Sequence, residues 1–130
     1  MAMSRGLADT SLFIAKESGR SLQIDLLPDE LAVSAITIGE LRAGVLAAAD
    51  SSTLDQRLST LTAALALNPV PVDEPVASAW ARLRLALRDS NLKMPVNDSW
   101  IAATAIALNI PVVTQDDDFP LLDELEVVRV

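Results

Sequence analysis

Ile110-Pro111-Val112-Val113-Thr114-Gln115-Asp116-Asp117-Asp118-Phe119 joins an apolar run to a run of acids. Its apolar half reads as a short buried β-strand, and its polar half sets acids just beyond the strand's carboxyl end. Gly6-Leu7-Ala8 repeats the pattern by running into Asp9. Leu31-Ala32-Val33-Ser34, the very short Val70-Pro71-Val72, and Glu126 to Val130 are the remaining strand candidates. Between them the chain predicts helices. Thr10 or Ser11 caps one through Leu12–Glu17 that Gly19 closes, and Ser21 to Leu27 forms a short one stopped by Pro28. Ser34 caps a helix from Ala35 to about Ala49, with a stripe of Ile38, Leu41, Val45 and Ala48. Ser52 to Leu67 carries Leu54, Leu58, Leu61 and Leu65. Pro75 opens a helix whose Val76, Trp80, Leu83 and Leu87 face one side. Asn97 or Asp98 caps an alanine-rich helix reaching Leu108, and a short helix lies around Leu121 to Leu125. Short apolar strands alternating with helices predict an α/β fold: a three-layer α/β/α sandwich on a mostly parallel sheet, one domain over residues 1–130.

Composition limits the chemistry. The 130 residues hold 10 Lys+Arg against 18 Asp+Glu, a net charge of -8, with no Cys and no His. Thiol chemistry, disulfides, histidine relays and the usual zinc sets are therefore out. Bulk attraction to a nucleic acid backbone is disfavoured as well. No signal-peptide pattern or bilayer-length apolar run is present, and a cytoplasmic location with no membrane association is expected.

What remains is carboxylates and a hard cation. Ligands of such sheets gather outside the carboxyl ends of the strands. Asp9 and Asp116 fall there, Asp98 opens a helix, and Glu40 sits in an otherwise apolar helical stretch beside Leu41. Acids from four distant segments repel one another unless a cation joins them, and an all-oxygen set suits Mg²⁺ or Mn²⁺. Metal held this way activates water against a phosphodiester. Plainer readings stand beside this one: Asp98 as a simple helix cap, and Asp116 to Asp118 as a solvated turn.

Asp9-Thr10-Ser11, Glu40-Leu41-Arg42-Ala43-Gly44, Asn97-Asp98 followed by Ile101-Ala102-Ala103, and Thr114 to Phe119 together resemble the PIN-domain ribonucleases, in particular the VapC-type toxins of toxin–antitoxin pairs. The resemblance covers nearly the whole chain in order, each motif weak alone and the four strong together. It implies a Mg²⁺- or Mn²⁺-dependent endoribonuclease acting on tRNA, rRNA or mRNA and leaving a 5′-phosphate and a 3′-hydroxyl. It also implies a homodimer held inactive by a VapB-like antitoxin. By motif match the catalytic and metal-binding acids are Asp9, Glu40, Asp98 and Asp116. Asp118 is an additional candidate for holding a metal water, and Asp117 faces outward. Thr10 and Ser11 would support Asp9, with Asn97 and Thr114 as further polar neighbours.

Arg42, Arg82, Arg84, Arg88 and Lys93 are candidates for RNA contacts at the rim of the site. An ordinary solvated helix face explains most of them equally well, and Arg42 has the further option of an interior ion pair that orients Glu40. Trp80 aligns with a core stripe, while Trp100 is open to a core, dimer or substrate role. The Leu- and Ala-rich helices between Ala35 and Leu67 suit a dimer or antitoxin surface. The competing function is a non-catalytic interaction module on the same fold. A small Mg²⁺ phosphotransfer enzyme is weaker, because Asp9 is followed by Thr-Ser rather than by a second nearby acid.

Overall fold

A computed structural model describes residues 3–130. Four strands, β1 (Arg5–Ala8), β2 (Glu30–Val33), β3 (Val112–Thr114) and β4 (Val127–Arg129), form one sheet in the order β2-β1-β3-β4. All three pairings are parallel, with Leu7 opposite both Ala32 and Val112. The chain winds from β1 outward to β2, then returns across the sheet to β3. The carboxyl ends of β1 and β3 therefore flank the point where strand order reverses, which is where open α/β sheets keep their sites.

Five helices cover the sheet: α1 (Thr10–Glu17), α2 (Ala35–Leu46), α3 (Ser51–Leu65), α4 (Glu74–Asp89) and α5 (Val96–Leu108). Strand alternation divides the core. Leu7, Ala32 and Val112 point to one face, where they meet Leu83 and Leu87 of α4 and Ile101, Ala102 and Ala105 of α5. Ala8 and Val113 point to the other, against Leu12 of α1 and Val130. The three-layer α/β/α sandwich is thus present. Alanines on α5 let it lie directly on the central strands, with Ala102, Ala103 and Ala105 fully buried.

Several local expectations are corrected. Helix α1 begins at Thr10 with Asp9 in the N-cap position, yet Asp9 makes no side-chain cap bond because its carboxylate turns toward β3. Helix α5 begins at Val96 after Pro95, so Asn97 and Asp98 lie inside its first turn rather than capping it. Only Ile24–Leu26 of the 21–27 stretch is helical, a single 3₁₀ turn with no buried residue to anchor it. Val70 makes one parallel bridge to Ser34 and no strand, since the next residue, Pro71, has no N–H to continue the ladder. Residues 121–125 form a turn closed by a Leu122–Leu125 bridge, with Leu121 92% exposed.

Helix α2 ends at Leu46, with Ser34 Oγ accepting from the Ile36 amide as its cap. On α3 only Leu61 of the predicted stripe is buried, beside Ala64. Leu54, Leu58 and Leu65 face outward, as does Leu46 at the end of α2. No helix among the described residues is long and apolar enough to cross a membrane.

Candidate active site

Asp9 leaves β1 at 2% exposure, the most deeply set acid of the expected group. The sheet carries it there: its amide donates to the Val113 carbonyl (2.9 Å). A buried carboxylate needs a donor. The Thr114 hydroxyl supplies one, donating to Asp9 Oδ2 at 2.9 Å. Thr114 is fully buried at the end of β3 and also accepts from the Asp116 amide (2.9 Å), so one hydroxyl ties the first acid to the fourth. Ser11 Oγ lies 3.1 Å from Thr114 Oγ1 and accepts from the Gln115 amide (3.0 Å), which stitches the start of α1 to the loop after β3.

Glu40 is held differently. Thr10 Oγ1 donates to Glu40 Oε1 at 2.7 Å and sits 2.9 Å from Thr37 Oγ1. Thr10 therefore supports Glu40 and not Asp9, which corrects the expectation from sequence order, because the first residue of α1 projects toward α2. Thr37, wholly buried, is a site residue that sequence reading missed. Its signal was the spacing: Thr37 and Glu40, three apart, share a helix face.

Asp98 reaches the cluster from the first turn of α5 and is half-buried. Its carboxyl is pushed up from 3.8 to about 7, first by desolvation and then by the negative charges of Asp9, Asp118, Glu40 and Asp116. Asp116 is also raised, by desolvation and then by Asp9 and Asp118, with Arg20 pulling the other way. Arg20, just after Gly19 in its left-handed conformation, is a second residue that the sequence did not single out. All five expected acids thus act on Asp98 or belong to one electrostatic cluster with it. Asp117 points away and pairs with Arg129 at 2.6 Å. Asp118 is exposed, close enough to be felt by both Asp98 and Asp116.

No ion pair among the described residues reaches Asp9, Glu40, Asp98, Asp116 or Asp118. Nor do any three acidic side chains among them lie close enough together to hold a metal ion as they stand. The donor set is all oxygen and partly desolvated, which fits a hard divalent ion.

The remaining expected residues scatter. Asn97 is exposed, and so is Arg42, which orients nothing in the interior. Arg82 pairs with Glu124 at 4.0 Å, both side chains open to solvent. Arg84 and Arg88 lie along α4, with Lys93 in the loop that follows.

The protein is thus a parallel α/β/α sandwich in which carboxylates from four separate segments act on one another. The PIN domain family model matches residues 7–125, and the chain belongs to that family. Ribonuclease VapC5 of Mycobacterium tuberculosis is 48% identical over 128 residues, spanning 96% of this chain and 95% of the relative. Ribonuclease VapC4 of the same organism is 44% identical over 130 residues, covering the whole of both. The crystal structure of VapBC-5, a toxin–antitoxin system member from Mycobacterium tuberculosis, superposes with a TM-score of 0.89 at 45% identity, over 98% of this chain and 99% of that one.

Proposed function

We propose that this chain is the ribonuclease toxin of a toxin–antitoxin pair, and that it hydrolyses RNA phosphodiesters with Mg²⁺ or Mn²⁺. The observation that carries the reading is that Asp9, Glu40 and Asp116, from three other segments, all act on the half-buried Asp98 carboxyl, which desolvation and then these charges lift to about 7. Near identity in length with relatives named as ribonucleases supports it.

When bound, the divalent ion supplies Lewis acidity, activating water and neutralising charge that develops on the phosphodiester. The chain's own part is positional. Asp9, fixed by the Thr114 hydroxyl, and Glu40, fixed by the Thr10 hydroxyl, would present preoriented oxygens to the ion. Asp98 and Asp116 would supply the remaining oxygens, and positive charge beside them would favour their ionised forms. Asp118, exposed and close enough to act on Asp98 and Asp116, would be the additional residue to hold a water of the ion.

The partner reading draws on the apolar surface. Leu46 on α2 and Leu54, Leu58 and Leu65 on α3 are exposed by 36% or more, a surface suited to an apolar helix of an antitoxin or to a second subunit. That VapBC-5 belongs to a toxin–antitoxin system supports an antitoxin for this chain too.

Partner-free protein incubated with total RNA and Mg²⁺ or Mn²⁺ should yield discrete fragments. Chelation and Asp9→Asn should each abolish them. Absence of cleavage across a broad RNA set, with no heat of metal binding, would leave the interaction module as the better reading.

A further inference from the structure

Three of the chain's ten cationic side chains, Arg84, Arg88 and Lys93, line one cavity of about 390 Å³ that no carboxylate lines. In a protein with 18 acids that segregation is conspicuous. The cavity lies between the carboxyl-terminal half of α4, the loop after it, and the first turn of α5, with Leu87, Leu92 and Met94 in its apolar lining. Its size falls in the range of roughly 300–1,000 Å³ common for ligand sites.

The cations are available rather than consumed. Arg84 lies over the Trp80 ring, 4.8 Å from its centroid, and Trp80 stacks on Trp100 at 4.3 Å with planes 2° apart. The Trp80 indole N–H donates to Ser99 Oγ at 3.0 Å, which pins the ring to α5. Arg84 is thus held by a face contact that leaves its donors unspent. Arg88 meets only Asp89, at 3.6 Å with both side chains exposed, a pairing too weak to sequester it. Lys93 makes no ion pair among the described residues.

Position supplies the link to the chemistry. Val96 and Ser99 line the cavity, and Asp98 lies between them on the same helical turn. Cavity and carboxylate therefore stand on different sides of one helix end, within a helix diameter of ~10–12 Å. A single strand rounding that helix end follows about half its circumference, on the order of 15–20 Å, which a few nucleotides cover.

We infer that this cavity is a backbone subsite for single-stranded RNA, in which Arg84, Arg88 and Lys93 take phosphates a few nucleotides from the bond cut beside Asp98. The inference deepens the ribonuclease reading and rests on it. Trp80, already stacked on Trp100 and carrying Arg84, positions a cation instead of stacking a base, so the subsite reads backbone rather than sequence. It also answers how a chain of net charge -8 holds RNA: attraction is concentrated where the strand passes.

The test is fluorescence anisotropy of a short labelled single-stranded RNA in chelator, where nothing is cut. Each phosphate contact contributes a slope of about 0.7 in log affinity against log salt, so the three together give about 2. Combined Arg84→Gln, Arg88→Gln and Lys93→Gln should weaken binding on the order of a hundredfold at 0.1 M salt and flatten that slope. Lys93→Gln alone, at an exposed and unpaired side chain, should weaken it several-fold, and Lys93→Arg should restore it. Arg5→Gln, at the amino end of β1, is the control that should bind like the parent. In Mg²⁺ the triple variant should show a raised KM for RNA with kcat little altered. A parent that cuts RNA beside a triple variant of unchanged affinity and KM would overturn the subsite alone. So would a triple variant whose only change is in oligomeric state by sedimentation, which would make the cavity a subunit interface. A parent that neither binds nor cuts RNA would overturn the ribonuclease reading and the subsite with it.

Discussion

Asp98→Asn should stabilise the metal-free protein, and more so as pH rises. The side chain's carboxyl sits at about 7 in the fold against an ordinary 3.8. A raised folded-state value means that stability is fully present below the unfolded pKa and is lost as pH rises through about 7. If the group were sealed from water, the loss by pH 8 would be about 4 kcal/mol. Asp98 is only half-buried, and solvent screening reduces this to ~1–2 kcal/mol. Asparagine keeps the shape and removes the charge, forfeiting ~0.3–1 kcal/mol of favourable interaction with the amino end of α5. The net gain at pH 8 is then about 1 kcal/mol, or roughly 3–6 °C in Tm for a chain of this length. At pH 5 the fold already keeps Asp98 protonated, and only about a third of the gain remains, set by the distance from 3.8. Thermal unfolding of both proteins in chelator, at pH 5 and pH 8, reads this directly. A Tm gain that is equal at the two pH values, or a loss at pH 8, would refute the idea that carboxylate crowding strains this site.

Mg²⁺ should raise the Tm of the parent protein at pH 8, with Asp9→Asn showing little or no rise in a parallel melt. Thr10→Val should leave Glu40 without its hydroxyl donor and lower metal affinity or RNA cleavage about 10–100-fold, seen by titration calorimetry and initial rates. Thr114→Val should cost about 1–3 kcal/mol in urea unfolding, because Asp9 and the Asp116 amide lose the same partner. Gly6→Ala should destabilise by about 1–3 kcal/mol: a Cβ there would stand 2.5 Å from Val113 Cγ2 and 3.0 Å from Pro28 Cγ, in a central strand with nowhere to move.

The apolar runs and the residues that follow them were enough to determine the sandwich, its parallel sheet, and the acids Asp9, Glu40, Asp98 and Asp116 as a candidate set. Both are local signals. A short apolar strand advertises burial by its composition, and an acid abutting it stands out because charge is costly there. Motif order along the chain added the family. Helix ends were less legible, since they depend on competition for the same groups: Asp9 looks like a neighbour of the cap and occupies the cap position, but its carboxylate is claimed by Thr114, 105 residues away.

Which hydroxyl serves which acid was decided only by tertiary structure. Thr10 turned out to serve Glu40, and Thr114 to serve Asp9, because helix rotation and strand register set side-chain direction, and neither can be read from adjacency. The rotation of α3 likewise put Leu61 inside and left Leu54, Leu58 and Leu65 out, although all four share a helical stripe. The five candidate cations were separated in the same way. Arg82 went to Glu124 and Arg42 to solvent, while Arg84, Arg88 and Lys93 came to line a single cavity. The sequence determined how much charge the chain carries and which side chains carry it. The fold decided where that charge acts, because electrostatic interaction falls with distance through space, and distance along the chain does not set it.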